Sequence, residues 1–159
     1  AFSALEFRAA LGMFATGVTV VTARTAAGEL VGLTANSFNS VSLDPPLVLW
    51  SLSQRSLSLD AFRTGSHYAI NVLAADQHEL ALRFATPLSD RWDGVAWTPG
   101  VAGAPLITGA MAHFECFNKS RYEEGDHVIL VGQVEQVAHR PEATPLLFHG
   151  GRFYTEHPL

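Results

Sequence analysis

Cysteine is almost absent from this sequence, in which Cys116 is the only one among 159 residues. A lone thiol excludes an internal disulfide and fits a reducing compartment. Long apolar runs are missing as well. None approaches the roughly 18 consecutive residues that a membrane-spanning helix requires, and no secretory signal pattern opens the chain. We therefore expect a soluble, cytoplasmic protein without a membrane partner.

Positive charge is scarce. The chain has 10 Lys and Arg against 15 Asp and Glu, a formal net charge of -5, and its basic residues are scattered. Nucleic-acid binding needs clustered cations that neutralise phosphates, so nucleic acid is not an expected partner. Charged residues make up only 16% of the chain, whereas 48% of the residues are hydrophobic. A surface with so few charges favours a buried subunit interface.

Several signatures of catalysis and binding are also absent. There is no GxGxxG after a strand, no GxxxxGK(S/T) and no GxSxG. These absences argue against dinucleotide-fold binding, P-loop phosphate binding and a nucleophilic serine. The seven histidines never stand two or four residues apart, so no local metal-binding pattern is present. If the protein is an enzyme, we expect its reactive group to come with a bound cofactor.

Strand-forming segments dominate what is present. The stretches "GVTVVTART", "LVLWSLS" and "HYAINVL" are rich in β-branched and apolar residues and predict buried strands. Residues 110–122 and 127–139 predict two long strands around "EEGD", and Gly150-Gly151 predicts the turn of a final hairpin.

Only three short helices are indicated. One follows Ser3, one lies within "SLSLDAFRTG", and one lies within "QHELALRFA" with Asp76 and Glu79 as its cap. Closely spaced strands with so few helices favour a largely antiparallel β-barrel over βαβ units. The sequence therefore predicts one mainly β domain over residues 1–159.

The run "GLTANSFNSVSLDPP", residues 32–46, places several small hydrogen-bonding side chains between two predicted strands. One interpretation is a strand end followed by turns that Asn and Ser favour. The other is a polar, planar or phosphorylated ligand lying against the segment, because a turn alone needs fewer such residues. Small side chains would let that ligand approach the backbone from Thr34 to Ser37.

The segment "SLSQRSLS" carries serines at positions 51, 53, 56 and 58, where a strand ends and a helix is expected to begin. Ser56 could simply cap that helix. Alternatively, the serines and Arg55 bind a phosphate at the helix N-terminus, where free N–H groups and the helix dipole favour an anion. Four serines exceed the need of one cap, which favours the phosphate.

Two further segments allow a structural and a functional interpretation. In "RFATPLSDRW", Phe84 fits the apolar side of a helix, while Arg91 and Trp92 either close over a cofactor or belong to a solvated loop. In "EEGDHVIL", Gly125-Asp126 is typical of a hairpin turn, and His127 begins an apolar strand. A histidine there either meets a ligand at the rim of a barrel or merely starts the strand.

These motifs follow one another in a specific order. The set comprises "TGVTVVTA", "GLTANSFNSVSLDPPLVLWS", "INVL", "FA…DRW", "GA…FEC", "GDHVILVGQV" and "PLLFHGGRFY". Together, from about residue 8 to residue 155, they resemble the flavin reductase family, the small NAD(P)H-dependent components of two-component flavin monooxygenases. The resemblance implies an FMN-binding split β-barrel with Greek-key-like antiparallel strands. It also implies a homodimer with flavin near the subunit interface, and reduction of FMN or FAD by NADH or NADPH for a partner monooxygenase.

The resemblance further implies roles for individual residues. His127 of the GDH motif would lie beside the nicotinamide as the catalytic-site residue, with Tyr154 or Phe153 near it. Trp92 departs from the phenylalanine that is more usual after Asp-Arg. No metal ligand is expected. The expected flavin-binding residues are Thr34, Ala35, Asn36, Ser37, Ser51, Leu52, Ser53, Ser56, Ser58, Phe84, Arg91 and Tyr154.

Two other functions remain open from the sequence. A non-enzymatic flavin carrier or electron-transfer module would bind flavin without oxidising NAD(P)H. A pyridoxamine-phosphate-oxidase-like enzyme on the same barrel is an alternative, since one fold hosts many reactions. That class would need more basic residues around the substrate phosphate than this chain offers. The sequence does not show whether the protein prefers FMN or FAD, or whether it uses NADH or NADPH.

Overall fold

The computed structural model describes the whole chain, residues 1–159. Its helices are α1 Ala4–Leu11, α2 Leu59–Thr64 and α3 His78–Ala85, with short 3₁₀ turns at Ala75–Gln77 and Val101–Gly103. Its strands are β1 Thr16–Gly17, β2 Thr19–Arg24, β3 Leu30–Ala35, β4 Asn39–Leu43, β5 Pro46–Ser53, β6 His67–Val72, β7 Trp97–Pro99, β8 Pro105–Ile107, β9 Ala112–Glu124, β10 His127–His139, β11 Leu147–His149 and β12 Arg152–Tyr154. No helix has the length and apolar character needed to cross a membrane.

Seven strands form one antiparallel sheet in the order β3-β2-β6-β9-β10-β5-β4. The long hairpin β9–β10 turns at Gly125-Asp126, and the positive φ of 61° at Gly125 is one that glycine adopts without a steric penalty. Strands β3 and β4 are the two edges of the sheet and do not pair with each other, so the ladder stays open. The predicted mainly β, antiparallel class is confirmed, with the barrel split rather than closed.

Two smaller sheets complete the fold. Strands β11 and β12 form the predicted final hairpin around Gly150-Gly151, and β1 pairs with β11. The hairpin β7–β8 was not predicted, because both strands are three residues long and each contains a proline, which is rare inside strands.

An aromatic cluster fixes the end of β5 and the helix after it. Trp50 lies edge-to-face against Phe62 and Tyr68, with ring centroids 5.0 and 5.5 Å apart, and all three side chains are fully buried. Phe62 is the only buried residue of α2. Because Phe62 anchors α2 in the core, the loop that joins β5 to α2 is held at the end of the sheet.

The starts of α2 and α3 differ from the sequence-based prediction. Helix α2 begins after Ser58, so Ser56 does not cap it; the Ser56 hydroxyl instead accepts a hydrogen bond from the Ser58 N–H at 3.2 Å. Asp76 does not cap α3, since a 3₁₀ turn precedes the helix and the Gln77 side-chain oxygen accepts from the Ala74 N–H at 3.0 Å. In both places a side chain bonds its own loop, an option that short polar side chains offer.

The second half of the polar run is strand β4. Residues 39–43 pair with the outer edge of β5, and four of the five are exposed. Polar side chains suit an exposed edge strand, which accounts for Asn39, Ser40 and Ser42 without a ligand. Ligand binding is therefore needed to explain only the small polar side chains from Thr34 to Ser37.

Candidate functional site

A cleft of about 420 Å³ opens where the ends of β3 and β5 face each other across the split. Its walls come from β3 and the residues after it, the β5–α2 loop, α3 with the loop that follows, and the start of β10. The lining residues are Leu33, Thr34, Ala35, Asn36, Ser37, Ser51, Leu52, Ser53, Ser56, Phe84, Ala85, Arg91 and His127. All the residues predicted to act together are therefore in one place except Ser58 and Tyr154.

The β3 wall uses two of its hydroxyl groups to hold the cleft together. The Ser37 hydroxyl accepts from the Ser51 N–H at 2.9 Å and lies 3.3 Å from the Ser51 carbonyl oxygen, so it bridges the split between β3 and β5. The Thr34 hydroxyl donates to the Ala81 carbonyl at 2.6 Å and ties α3 to the wall. Asn36, by contrast, is exposed and makes no side-chain hydrogen bond, so its amide is free for a ligand.

The β5–α2 loop presents hydroxyl donors. The Ser53 hydroxyl accepts from the Arg55 N–H at 3.1 Å, and the Ser56 hydroxyl accepts from the Ser58 N–H. A serine hydroxyl that accepts in this way still has its own O–H to donate. Ser53 and Ser56 therefore offer two O–H donors to an anion in the cleft.

Ser58 does not line this cleft. It faces an adjoining groove with Leu57 and Pro87, and it makes no side-chain capping bond to α2. Helix α2 starts two residues later than a Ser56 cap requires, so the serines that line the cleft belong to the preceding loop and not to the N-terminus of the helix.

Helix α3 and its following loop form the third wall. Phe84 is buried and meets Trp92 edge-to-face at 4.9 Å between ring centroids. Both rings lie so close to Gly32 that a Cβ there would be 3.0 Å from each, so only a glycine leaves room for them against β3. Arg91 donates from Nη1 to the Gly32 carbonyl and from Nε to the Thr86 carbonyl, each at 2.8 Å.

Arg91 is the one lysine or arginine that lines the cleft. Partial burial lowers the pKa of its guanidinium from the ordinary value, but an arginine side chain stays charged in proteins. With its position fixed by two carbonyl groups, Arg91 supplies a positive charge beside the serine hydroxyls.

His127 stands at the opening of β10, where it pairs with Ser53 of β5. Its Nδ1 lies 2.7 Å from the Asp126 carboxylate, and hydrogen bonding to His127 is the main reason that the pKa of Asp126 lies below its usual value. Because a carboxylate can only accept, Nδ1 carries the proton. Nε2 has no partner in the protein and is free for a ligand.

Tyr154 lies outside the cleft. Strand β12 directs it to the half-exposed side of the final hairpin, whereas its neighbour Phe153 lines a small apolar cavity of about 220 Å³ that shares Thr34, Asn36 and Ala85 with the cleft walls. Successive residues of a strand point to opposite faces, so only one of the two aromatics can face inward. Phe153 thus lies next to the cleft, whereas Tyr154 does not line the cleft of a single chain, and its contact with a flavin stays a prediction.

The sequence interpretation also missed Leu33 and Ala85. Both are apolar neighbours of predicted residues, and only the approach of α3 to β3 brings them into the cleft. No group of three or more His, Cys, Asp or Glu side chains is placed to hold a metal ion. The cleft therefore offers one cation, hydroxyl donors, a free amide and a free imidazole nitrogen around one opening. This set of groups suits a planar ligand with a phosphate tail.

Comparison with known proteins places this arrangement in context. The chain is 50% identical over 148 residues to FMN reductase (NADH) SmoA of Agrobacterium fabrum, covering 93% of this chain and 83% of that protein. It is 37% identical over 148 residues to the flavin-dependent monooxygenase reductase subunit HsaB of Rhodococcus jostii, covering 93% and 75%. It spans only 43% and 58% of the length of two relatives from Rhizobium meliloti.

A solved structure shows the same fold. The NADH:FAD oxidoreductase SgcE6 of Streptomyces globisporus C-1027, crystallised with NAD and FAD fragments, superposes with a TM-score of 0.92 at 42% identity, covering 97% of this chain and 93% of that one. The family model described as flavin reductase like domain matches residues 11–157. Nearly all of the sequence lies within that match, and the chain belongs to the flavin reductase like domain family.

Proposed function

We propose that this protein is an NAD(P)H-dependent flavin reductase that catalyses hydride transfer from C4 of a nicotinamide to N5 of FMN or FAD. The observation that carries the proposal is the cleft at the split of the barrel. It brings the hydroxyls of Ser53 and Ser56, the charge of Arg91 and the free Nε2 of His127 into one opening. The family membership and the NADH-dependent flavin reductases among the relatives support the same activity.

The chain's own residues would bind and orient the two coenzymes. The backbone from Thr34 to Ser37 and the Asn36 amide bind the ring edge of the flavin, since small residues there leave the backbone accessible. Ser53, Ser56 and Arg91 bind the phosphate through two O–H donors and a fixed charge, and hydrogen bonds to a charged group are among the stronger ones. Hydride transfer itself is the chemistry that the bound coenzymes supply.

His127 positions the nicotinamide. With Nδ1 donating to Asp126, Nε2 presents a lone pair that can accept a hydrogen bond from a carboxamide N–H. Holding two planar rings in a reactive arrangement is the main task of such a site, because correct orientation replaces an unfavourable encounter between two free molecules.

Three further properties belong to the same proposal. The protein delivers reduced flavin to a partner monooxygenase, as the names of several relatives indicate for those proteins. It acts in the cytoplasm, where its cosubstrate is available and its single Cys116 stays reduced. It is a homodimer, which is supported by helix α1, none of whose residues is buried although it carries Leu5, Phe7 and Leu11.

A spectrophotometric assay tests the activity. Purified protein is mixed with NADH or NADPH and with FMN, FAD or riboflavin, and oxidation of the nicotinamide is followed. A flavin reductase oxidises at least one nicotinamide with turnover of the added flavin. Tight flavin binding with no NAD(P)H oxidation would instead identify a flavin carrier and contradict the proposal.

A further inference from the structure

Gln54 lies between the β5–α2 loop and the turn of the β9–β10 hairpin. Its neighbours Ser53 and Ser56 line the cleft, but Gln54 does not. Its side chain instead bonds to the turn between β9 and β10, which carries His127. Gln54 thus joins the loop with the anion-binding hydroxyls to the hairpin with the free imidazole.

Three hydrogen bonds make this connection. The Gln54 backbone N–H donates to the Asp126 carbonyl at 2.9 Å. The side-chain Nε2 donates to the Gly125 carbonyl at 3.0 Å and makes a longer contact of 3.4 Å with the His127 carbonyl. The ladder between β5 and β10 ends at the pair Ser53–His127, so these bonds extend the attachment beyond the last paired residues.

The turn needs such an attachment because it projects into solvent. Residues 121–127 are all exposed, and an added Cβ at Gly125 would meet no atom within 4 Å. Exposed hairpin ends with few packed contacts open locally at low cost. The exposed Gln54 amide links this turn to the β5–α2 loop by hydrogen bonds, and His127 follows directly after the turn.

We propose that Gln54 is a positioning residue for the reaction with the nicotinamide. It touches neither coenzyme; it holds the Gly125–His127 turn against the β5–α2 loop, and it thereby sets where Nε2 of His127 lies relative to the cleft. The inference rests on the proposed function. A purely structural role would affect stability and leave the kinetics of the folded protein unchanged.

Two substitutions and a control test the role. Gln54→Ala removes both side-chain bonds and keeps the backbone bond. Gln54→Glu has nearly the same shape, but its carboxylate would face two carbonyl oxygens and could not donate. Gln136→Ala is the control: it removes an exposed glutamine of β10, the strand that begins at His127, and its side chain makes no hydrogen bond.

The measurement is stopped-flow reduction of enzyme-bound flavin over a range of NADH concentrations, with flavin affinity and thermal melting measured in parallel. For Gln54→Ala we expect the NADH concentration at half-maximal rate to rise about three- to tenfold, which is the effect of about one lost neutral hydrogen bond. Gln54→Glu should raise this NADH concentration further than Gln54→Ala does. Flavin affinity should change less than about twofold, and Gln136→Ala should match the wild type.

A double-mutant cycle with His127→Ala separates action through His127 from any other effect. If Gln54 acts through the imidazole, Gln54→Ala adds nothing in the His127→Ala background. Equal effects in both backgrounds would overturn the inference, as would a lower melting temperature with unchanged NADH dependence. A wild type that does not oxidise NAD(P)H would refute the proposed function itself, whereas an active wild type indistinguishable from Gln54→Ala would refute only the role of Gln54.

Discussion

At the scale of single residues, the site divides its polar groups into those that build the cleft and those left for ligands. The hydroxyls of Thr34 and Ser37 are committed to Ala81 and Ser51. The O–H groups of Ser53 and Ser56 remain available, as does Nε2 of His127. Substitutions in the first set should therefore change both folding and binding, while those in the second set should change binding alone.

Ser56 and Ser58 form a matched pair for testing the phosphate site. Both belong to the same loop, but only Ser56 lines the cleft. Ser56→Ala should weaken FMN by about tenfold or more, since a hydrogen bond to a charged group contributes about 1.5–3 kcal/mol. Riboflavin, which lacks the phosphate, should bind as before, and Ser58→Ala should leave both affinities unchanged. Fluorescence titration provides the comparison; equal losses for FMN and riboflavin would contradict the assignment.

His127 can be tested by truncation. His127→Ala should leave flavin affinity nearly unchanged and raise the KM for NADH about two- to tenfold, the effect of one hydrogen bond. If the contact strengthens as hydride moves, kcat falls too. Steady-state kinetics measure both constants, and a thermal melt shows whether the variant is folded. Unchanged NADH kinetics would show that the imidazole only begins a strand.

At the scale of elements, the hairpin β9–β10 must pack against the aromatic core without displacing it. Gly132 of β10 is buried beside Tyr68, where a Cβ would lie 2.6 Å from the Tyr68 hydroxyl oxygen and 2.9 Å from Cβ of Cys116. Strand β10 can therefore pack closely against Tyr68 and Cys116 only because residue 132 has no side chain.

Gly132→Ala should consequently destabilise the fold. Overpacking a rigid core costs about 1–3 kcal/mol in the free energy of unfolding. Gly17→Ala is the matched control, since Gly17 also lies in a strand but an added Cβ there meets nothing within 4 Å. Urea denaturation followed by tryptophan fluorescence gives both values. Equal stability of the two variants would show that Tyr68 can shift to accommodate the added methyl group.

At the scale of the whole molecule, the surface is more apolar than a monomer needs. Phe2, Leu5, Met13 and Phe14 are each between 66% and 77% exposed on or beside α1. Exposed apolar clusters of this kind mark protein interfaces, and two-fold dimers are the commonest assembly.

The chain should therefore sediment as a dimer at micromolar concentration, with about twice the 17.1 kDa of one chain. Leu5→Asp should shift the mass toward the monomer, because a buried unpaired carboxylate opposes association. Analytical ultracentrifugation of both proteins is the test. A wild type that sediments at the mass of one chain would refute the homodimer.

The amino-acid sequence alone predicts the longer strands and two of the hairpin turns, but not β4 or the hairpin β7–β8. Their β-branched and apolar residues predicted β2, β5 and β6, and the pairs Gly125-Asp126 and Gly150-Gly151 located two hairpins. These features depend on neighbours along the chain, which the sequence displays directly. The order of the motifs then indicated the family, and with it the residues from Thr34 to His127 that the cleft brings together.

Three features required the folded structure: which polar groups are free, which aromatic side chain of the last hairpin faces inward, and which hydrogen bonds join the walls of the cleft. Ser37 bridges to Ser51, Gln54 bonds to Gly125, and Phe153 rather than Tyr154 borders the cleft. Each outcome depends on the packing of segments that are distant in the chain. Residue type predicts that a serine or a glutamine will form a hydrogen bond, but the partner is chosen by the sheet register that places two strands side by side.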